Sequence, residues 1–331
     1  MTIVNPARSS SEPISDPNIE VQTQAIASQL LAATTAKRSI FAKLRDKFRW
    51  DDMLLGWTME NPSLRVQLFR AIDCLPSLTT KAQIARHLQE YLSDAAVELP
   101  QALKDLLNFT APDSLPGQVA ATTLTTAVET LARKYIAGEN LKQTLKSIEH
   151  LRNQSMTFTI DVLGEAVVTE TEAQSYLDRY LELIGQLTTA DRNWRSSTDR
   201  GDVAPVQVSV KLTAFYSQFD PLDVQGSQEK VSDRLRILLR KAQEVGAAVH
   251  FDMEQYRYKN ATLEVLKPLL MEAEIRDRTD IGITLQAYLR DSYQDLQQLI
   301  AWAKKRGQPI TLRLIKGAYW DRETIVARQN H

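Results

Sequence analysis

From Met156 onwards, strand-like segments alternate with longer amphipathic helices, and this alternation limits the possible folds more than any other feature. Alternating apolar and polar residues predict strands at Met156–Asp161, Val206–Phe215, Ala247–Glu254, Ile281–Leu289 and Ile310–Tyr319. Apolar residues at helical spacing predict helices at Glu172–Thr189, Glu229–Val245, Ala261–Glu274 and Ser292–Arg306. Strands joined by helical crossovers are parallel. Because no Gly-x-Gly-x-x-Gly turn follows a strand, the pattern favours a (β/α)8 TIM-type barrel over a doubly wound dinucleotide fold.

Five such units are fewer than the eight of a closed barrel. The predicted fold class is therefore α/β, with the first five strands of an incomplete barrel over residues 156–331. A helical pattern over 19–107 predicts an all-helical N-terminal domain, and 108–155 predicts a connector followed by a long helix, interrupted near Gly138. The polar segment 1–18 predicts a disordered tail. We expect this chain to be the N-terminal portion of a longer protein.

Composition narrows the classes of partner and compartment. The 40 Lys and Arg residues balance 41 Asp and Glu residues, so no basic excess indicates nucleic-acid binding. No apolar run approaches the ~18 residues that a membrane span requires. The single cysteine, Cys74, rules out an internal disulfide and fits a reducing compartment. We therefore expect a cytoplasmic protein without a nucleic-acid partner.

Polar side chains share one parity in the predicted strands, and this parity identifies a candidate site. Lys211 has this parity in the second strand, Asp252 in the third, Gln286 in the fourth and Arg313 in the fifth. In most barrels that face is filled by branched apolar side chains. Buried charges rarely stabilise a fold better than apolar packing does. We therefore expect a ligand site at the carboxyl ends of the strands rather than a structural ion network.

These residue types leave several chemistries open. Lys211 could form a Schiff base, as in an aldolase barrel, or pair with a substrate carboxylate. His250, Asp252 and Glu254 share one strand face and could form a metal cluster. Nothing else in the sequence supplies matching ligands, so we expect no metal. The side chain of Gln286 offers both a donor and an acceptor, which suits an imide or a pyrimidine edge.

The segment Arg313–Asp321, RLIKGAYWD, closely resembles the signature of the FAD-dependent proline dehydrogenase domain. It resembles in particular the bifunctional proline utilization A proteins, which join this domain to a glutamate-semialdehyde dehydrogenase. Four more segments resemble family motifs in the same order: Phe158–Glu165, Val208–Ala214, Phe251–Glu254 and Thr284–Tyr288. Upstream, Met59–Arg70 resembles the helical N-terminal domain of the bifunctional form. The resemblance extends from about residue 50 to the end of the chain.

The resemblance implies oxidation of L-proline to 1-pyrroline-5-carboxylate by hydride transfer to FAD, the first step of proline catabolism to glutamate. It implies that Asp252 and Arg313 are catalytic, with Arg313 near flavin N5 and Asp252 orienting the site. The residues implied to contact FAD are Met253, Gln286, Arg313, Lys316, Gly317, Ala318 and Trp320. Those implied to bind the substrate are Lys211, Glu165 and Tyr319, with Glu165 resembling a gate residue.

The resemblance also implies a membrane quinone as electron acceptor, reached by peripheral association with the membrane, and an aldehyde dehydrogenase domain C-terminal to this chain. A homo-oligomer is compatible with it. Two hypotheses of other classes stay open: a Schiff-base lyase or aldolase that uses Lys211, and a non-catalytic fragment whose helices mediate assembly. Because five strands alone leave barrel edges unpaired, we expect the isolated chain to have little or no activity.

Overall fold

The computed structural model describes residues 17–36, 56–93, 98–108, 111–133, 135–154, 156–164, 166–191 and 204–330. Most of the predicted tail and the predicted gate residue Glu165 lie outside these ranges. The chain divides into two compact units, Met1–Ile136 and Ala137–His331. The domain boundaries predicted from the sequence stay predictions. Within the described ranges, no helix is both long enough and apolar enough to cross a bilayer.

The first unit is helical, as predicted. Helices with both ends in the described ranges are α1 (Pro17–Ala36), α2 (Pro62–Cys74), α3 (Lys81–Leu92), α4 (Gln101–Leu107) and α5 (Leu115–Ala132), and residues 56–60 are helical as well. Side chains cap three of their N-termini: Asn61 accepts a hydrogen bond from the Leu64 amide at 3.0 Å, Ser114 accepts one from the Gly117 amide at 3.3 Å, and Thr80 forms a capping box with Gln83. Helices α2 to α5 share an apolar core of Leu64, Leu68, Ala71, Leu88, Leu92, Leu103 and Leu124.

The second unit begins with α6 (Leu141–Asn153) and then alternates strand and helix. The strands are β1 (Ile160–Asp161), β2 (Val206–Val210), β3 (Ala247–Phe251), β4 (Ile281–Gln286) and β5 (Thr311–Ile315). The helices are α7 (Glu170–Asp191), α8 (Val224–Val245), α9 (Lys259–Leu269), α10 (Ser292–Arg306) and α11 (Trp320–Gln329). All pairings are parallel and the sheet order is β1-β2-β3-β4-β5, so the predicted five strands of an incomplete TIM-type barrel are confirmed.

The middle of the sheet forms the core of this unit. Every residue of β3 and β4 is buried, as expected of parallel strands that are covered on both faces. Apolar side chains such as Val208, Val249 and Ile283 belong to one continuous core with residues of α7, α8 and α9. The edge strand β5 is less covered, and Leu314 is 60% exposed.

The sheet curls so that one face is concave. Nη1 of Arg313, on β5, donates a hydrogen bond to Oγ of Ser209, on β2, at 2.9 Å. Strands β3 and β4 separate these two strands, and a flat sheet would place them about 14 Å apart. The two side chains can meet only across a concave surface. The polar parity therefore faces the interior of a curved sheet, as in a barrel.

Several elements are shorter than the sequence pattern predicts. The second strand ends at Val210 rather than Phe215, because the chain turns into a 3-10 helix at Leu212–Ala214. Only Ile160 and Asp161 of the first predicted strand pair with β2. Helix α9 ends at Leu269 rather than Glu274, one residue after Pro268.

The predicted long helix before the barrel is two helices. Helix α5 ends at Ala132 and α6 begins at Leu141. The side chain of Asn140 accepts a hydrogen bond from the Gln143 amide at 3.1 Å and so begins the second helix. The predicted interruption near Gly138 is therefore a full break with its own N-cap.

Candidate active site at the carboxyl ends of the strands

An alternating chain of charges lies at the ends of β1, β2 and β3 and at the middle of β5. Nη1 of Arg313 donates to Oδ1 of Asp252 at 2.8 Å as well as to Ser209. Nζ of Lys211 lies 3.5 Å from the other carboxylate oxygen of Asp252. The same ammonium donates to Oδ2 of Asp161 at 2.9 Å. Two cations and two carboxylates thus alternate in the order Asp161, Lys211, Asp252, Arg313.

The strand register explains why these residues meet. Asp161 pairs with Ser209 across β1 and β2, and Ser209 pairs with His250 across β2 and β3. Lys211 and Asp252 each lie two residues further along their strand direction and follow the last ladder residue. Side chains two residues apart share one face, so the charged groups form a layer at the carboxyl edge.

The environment of Lys211 keeps its amine charged. Burial acts to lower its pKa, but the hydrogen bond and charge of Asp161, together with the charge of Asp252, outweigh burial and raise the pKa above its ordinary value. A Schiff-base lysine needs a neutral amine and therefore a lowered pKa. The geometry thus suits Lys211 as a cation and argues against Lys211 as a nucleophile.

Solvent can reach the charged chain. The side chain of Arg313 is 35% exposed and that of Asp252 is 20% exposed. Both hydrogen bonds that Arg313 makes to described residues come from Nη1. A partly exposed guanidinium that is held from one end can still meet a ligand, so the arrangement is consistent with a binding site at the mouth of the barrel.

His250 lies one layer below the charged chain. Its Nε2 lies 3.0 Å from Oε1 of Gln207, and its ring packs against Gly282, where a Cβ would lie 2.1 Å from Nδ1. Burial, and then the charge of Arg313, lower the pKa of His250 and favour the neutral imidazole. His250, Asp252 and Glu254, considered above as a metal cluster, each have separate hydrogen-bond partners.

A second set of hydrogen bonds forms a rim around the mouth. Gln286, which is 1% exposed, donates from Nε2 to the Glu254 carbonyl at 2.8 Å, and its Oε1 accepts from the Ala318 amide at 3.4 Å. The Glu254 carboxylate accepts from the amide of Thr213 at 3.2 Å and from its hydroxyl. The Thr213 hydroxyl also accepts from the Ala166 amide at 2.9 Å. The rim thus links the ends of β5, β4, β3 and β2 to the loop after β1.

Two tyrosines of α7 hold the first part of that loop. The single hydroxyl proton of Tyr176 is shared between the carbonyls of Val162 and Gly164, whose oxygens lie 2.9 and 3.0 Å from the hydroxyl oxygen. The hydroxyl of Tyr180 donates to the Ser209 carbonyl at 2.5 Å and accepts from the Val162 amide at 3.0 Å. Burial raises the pKa of both tyrosines, so both hydroxyls keep their protons.

The turn after β5 packs closely on the end of β4. Gly317 has φ of +128°, and a Cβ there would lie 1.7 Å from a ring carbon of Tyr288. Only glycine allows both this backbone conformation and this approach of the ring. Lys316 and Ala318 on either side are exposed. Lys316 and Ala318, two of the predicted cofactor contacts, are therefore accessible at the mouth of the barrel.

The remaining predicted site residues are spread more widely. Met253 is 4% exposed and belongs to the apolar core. Tyr319 caps helix α11, and Trp320 begins it with 60% of its side chain exposed. The structure brings together Lys211, Asp252 and Arg313 in one set of contacts, and joins Gln286 to Ala318 in another.

Four further residues hold this site; the sequence alone gave no role to Asp161, Ser209 and Thr213, and it suggested Glu254 only as a metal ligand. Asp161 and Ser209 are the direct partners of the two cations, and Thr213 and Glu254 form the rim. All four have the polar parity of their strand segments, which is the signal that could have found them. Parity alone did not say which polar side chain contacts which.

Fold and site define a βα-barrel protein with an ion-paired site at the carboxyl ends of its strands. Residues 144–331 match the family model described as proline dehydrogenase. Residues 20–135 match the model described as the proline utilization A N-terminal domain. The first match covers more than half of the chain, so the chain belongs to the proline dehydrogenase family. The resemblance inferred from RLIKGAYWD is confirmed.

Individual relatives agree with this assignment. The bifunctional protein PutA of Salmonella typhimurium is 27% identical over 197 residues, which is 60% of this chain and 14% of that protein. Proline dehydrogenase 1 of Bacillus subtilis is 29% identical over 188 residues, 57% of this chain and 52% of that protein. The crystal structure of proline utilization A from Bdellovibrio bacteriovorus, inactivated by N-propargylglycine, is 35% identical with a TM-score of 0.79. That match covers 95% of this chain and 30% of the other, so the chain spans about half or less of each of these relatives.

Proposed function

We propose that this chain supplies the first five strands of an active site that oxidises L-proline to 1-pyrroline-5-carboxylate, with FAD as the hydride acceptor. The observation that carries the proposal is the set of contacts joining Lys211, Asp252 and Arg313 at the mouth, within the segment that matches the proline dehydrogenase model. In this reaction the proline ring loses a hydride from C5 and a proton from nitrogen. The C–N single bond then becomes the C=N bond of the pyrroline.

The residues at the end of β5 fit a flavin. Arg313 and the exposed Lys316 bring two cations to this edge, and the Tyr288 ring packs closely against Gly317 beside them. Bound flavin would accept the hydride and the negative charge that comes with it. Arg313 would stabilise that charge, because its guanidinium is already oriented by Asp252 and Ser209 before reaction.

The other cation fits the substrate. Proline carries a carboxylate, and the ammonium of Lys211 is held in its charged form by Asp161 and Asp252. Lys211 would orient the ring by pairing with this carboxylate. Asp252 contacts both Lys211 and Arg313. It would therefore keep the lysine that binds the substrate and the arginine beside the flavin at a constant separation.

The proposal includes the partners that this chemistry needs. Electrons from the reduced cofactor would pass to a membrane quinone, reached by peripheral association of a cytoplasmic protein with the membrane. The PutA relatives are named bifunctional, and this supports a second activity in the remainder of a longer protein. We propose that this activity is an aldehyde dehydrogenase domain that would consume the product. The competing lyase or aldolase hypothesis is disfavoured because the pKa of Lys211 is raised rather than lowered.

Anaerobic mixing of the flavin-loaded full-length protein with L-proline tests the proposal. We expect the flavin absorbance to bleach and pyrroline-5-carboxylate to form in equal amount, detected as its adduct with 2-aminobenzaldehyde. A parallel sample treated with borohydride should carry no covalent adduct on Lys211. A flavin-loaded protein that stays oxidised with proline, or an adduct on Lys211, would contradict the proposal.

A further inference from the structure

We propose that Glu254 and Thr213 form a positioning pair that couples the flavin side of the mouth to the loop after β1. The identification of one side as the flavin side rests on the proposed function. The coupling itself rests on hydrogen bonds between described residues. Neither residue would touch the reacting atoms, and both would act through the groups that they hold.

Glu254 connects two parts of the rim because its backbone and its side chain have different partners. It follows β3 and is 2% exposed. Its carbonyl accepts from Nε2 of Gln286, whose Oε1 in turn meets the Ala318 amide after β5. Its carboxylate accepts both the amide and the hydroxyl of Thr213. A displacement of Gln286 therefore passes to Thr213 through one buried residue.

Thr213 continues the connection to the loop after β1. It is 2% exposed and lies in the short 3-10 helix after β2. Its hydroxyl donates to Glu254 and accepts from the Ala166 amide at 2.9 Å, while its carbonyl accepts from the Val167 amide at 3.3 Å. The hydroxyl thus connects the Glu254 carboxylate to the loop, because it donates one hydrogen bond to Glu254 and accepts one from Ala166.

The loop needs this support. Ala166 has φ of +51°, in the left-handed region that a residue with a Cβ disfavours. Such a conformation persists only where the surroundings hold it. The hydrogen bond from its amide to Thr213 is a direct restraint on this residue. Without the hydroxyl, the backbone at 166 can relax towards ordinary dihedral angles.

The loop is also connected to Lys211, the proposed partner of the substrate carboxylate. It begins directly after Asp161, which holds the ammonium of Lys211 at 2.9 Å. Relaxation at Ala166 would remove a restraint from the far end of this loop and leave the segment that presents the Lys211 partner to the hydrogen bonds of Tyr176 and Tyr180 and to the β1–β2 pairing. We expect weaker substrate binding from such a change rather than loss of the cofactor, because the Gln286 and Arg313 contacts do not include the Thr213 hydroxyl.

Thr213→Val in the flavin-loaded full-length protein tests the pair, because it keeps the shape and removes the hydroxyl. Hydrogen exchange at the Ala166 amide should become roughly fivefold faster, the change expected for one net hydrogen bond of about 1 kcal/mol. The Val167 amide, which bonds to the Thr213 carbonyl, should stay protected. The KM for proline should rise severalfold, with flavin content and the flavin spectrum retained, and Thr213→Ser should restore both readouts.

The matched control is Thr262→Val on α9. Thr262 is 1% exposed, and its hydroxyl has no hydrogen-bond partner among the described residues. The same substitution there should change neither Ala166 exchange nor KM. If Thr213→Val does not fold, Glu254→Gln replaces it. The carboxylate accepts the amide and the hydroxyl of Thr213 on its two oxygens, whereas a glutamine has one oxygen and can accept only one of them, so Ala166 exchange should again rise.

Unchanged Ala166 exchange in the folded variant, or failure of Thr213→Ser to restore it, would overturn the inference. Amide exchange does not depend on the reaction. A wild-type protein that fails to oxidise proline would therefore count against the proposed function, while the exchange at Ala166 would still decide the question of the pair.

Discussion

Arginine is used in opposite ways at the two ends of the five-stranded sheet. At the amino end, Arg306 is 1% exposed and Arg278 is 7% exposed. Among the described residues, Arg306 donates only to main-chain carbonyls, whereas Arg278 donates to carbonyls and to its near neighbour Asp280. The carbonyl partners of Arg306 are those of Leu270, Ile275, Arg278 and Pro309. At the carboxyl end, Arg313 is half-buried and bonds only side chains of the described residues.

The difference in the partners of these arginines indicates that the two ends of the sheet have different roles. A main-chain carbonyl cannot rotate away as a side chain can, so Arg306 fastens the turns around α9, β4 and α10 by binding several carbonyls at once. Side-chain partners can rearrange when a ligand arrives, so the charge of Arg313 remains available. In barrel enzymes the carboxyl end carries the chemistry and the amino end carries stability. Substitutions at the two ends should therefore separate activity from folding.

The largest effect is expected for Arg313→Met in the full-length protein. Loss of the guanidinium should slow flavin reduction by L-proline about 10²- to 10³-fold, or roughly 2.7–4 kcal/mol of transition-state stabilisation, by analogy with removal of an oxyanion donor. The unfolding midpoint should stay within a few degrees of wild type. Stopped-flow absorbance under anaerobic conditions measures the rate. A rate equal to that of the wild type would defeat the assignment of Arg313.

Arg306→Met should produce the converse result. It leaves several buried carbonyls without their donor, so we expect the free energy of unfolding to fall by about 3 kcal/mol. Flavin reduction per folded molecule should not change. Urea denaturation measures the first quantity, with Arg133→Met, a 79% exposed side chain on an i,i+4 pair, as a control that should cost less than about 0.5 kcal/mol. Equal losses of unfolding free energy for Arg306→Met and Arg133→Met would contradict the stabilising role of Arg306 at the amino end.

Lys211→Ala should have a smaller effect that is confined to substrate binding. Without the ammonium, the proline carboxylate loses its partner, and we expect the KM to rise about tenfold, or roughly 1.4 kcal/mol. Flavin content should stay near normal. Steady-state kinetics and the visible spectrum provide both readouts. A protein purified without flavin would instead mean that Lys211 serves the cofactor or the fold.

The smallest effect concerns acid stability at the carboxyl end. Nζ of Lys259, which is buried, lies 2.7 Å from Asp291 and also pairs with Asp295. Burial acts to raise the pKa of Asp291, but the hydrogen bond and charge of Lys259 outweigh it and lower the pKa. A lowered carboxyl pKa stabilises the fold above the ordinary value of about 3.9, and the contribution is lost as pH falls through the folded value.

Asp291→Asn tests this pH dependence. The stability difference between wild type and variant should be constant above about pH 5 and shrink below about pH 4, with a total of up to about 1 kcal/mol. Denaturant unfolding across this range measures the difference. Asp113→Asn, in the helical unit, serves as the control. A difference that grows towards low pH would have the wrong sign for this ion pair.

Local patterns in the sequence carried the architecture and the identity of the family. Apolar spacing placed α10 at Ser292–Arg306, the bounds that the structure also has, and placed five strands in the right order. Parity placed Lys211, Asp252 and Arg313 on one face. These features could be predicted because side-chain direction repeats every two residues in a strand and about every 3.6 in a helix, whatever the rest of the molecule does.

The tertiary structure alone decided which of these side chains are partners. Arg313 reaches Ser209, 104 residues earlier in the chain, because the sheet curls, and Lys211 is held by Asp161 across the β1–β2 edge. It also decided that Thr213 leaves the strand and turns its hydroxyl to Glu254. Periodicity specifies a face, whereas a contact depends on curvature, register and the point at which each ladder ends. Those quantities are set by the packing of all the strands and helices together.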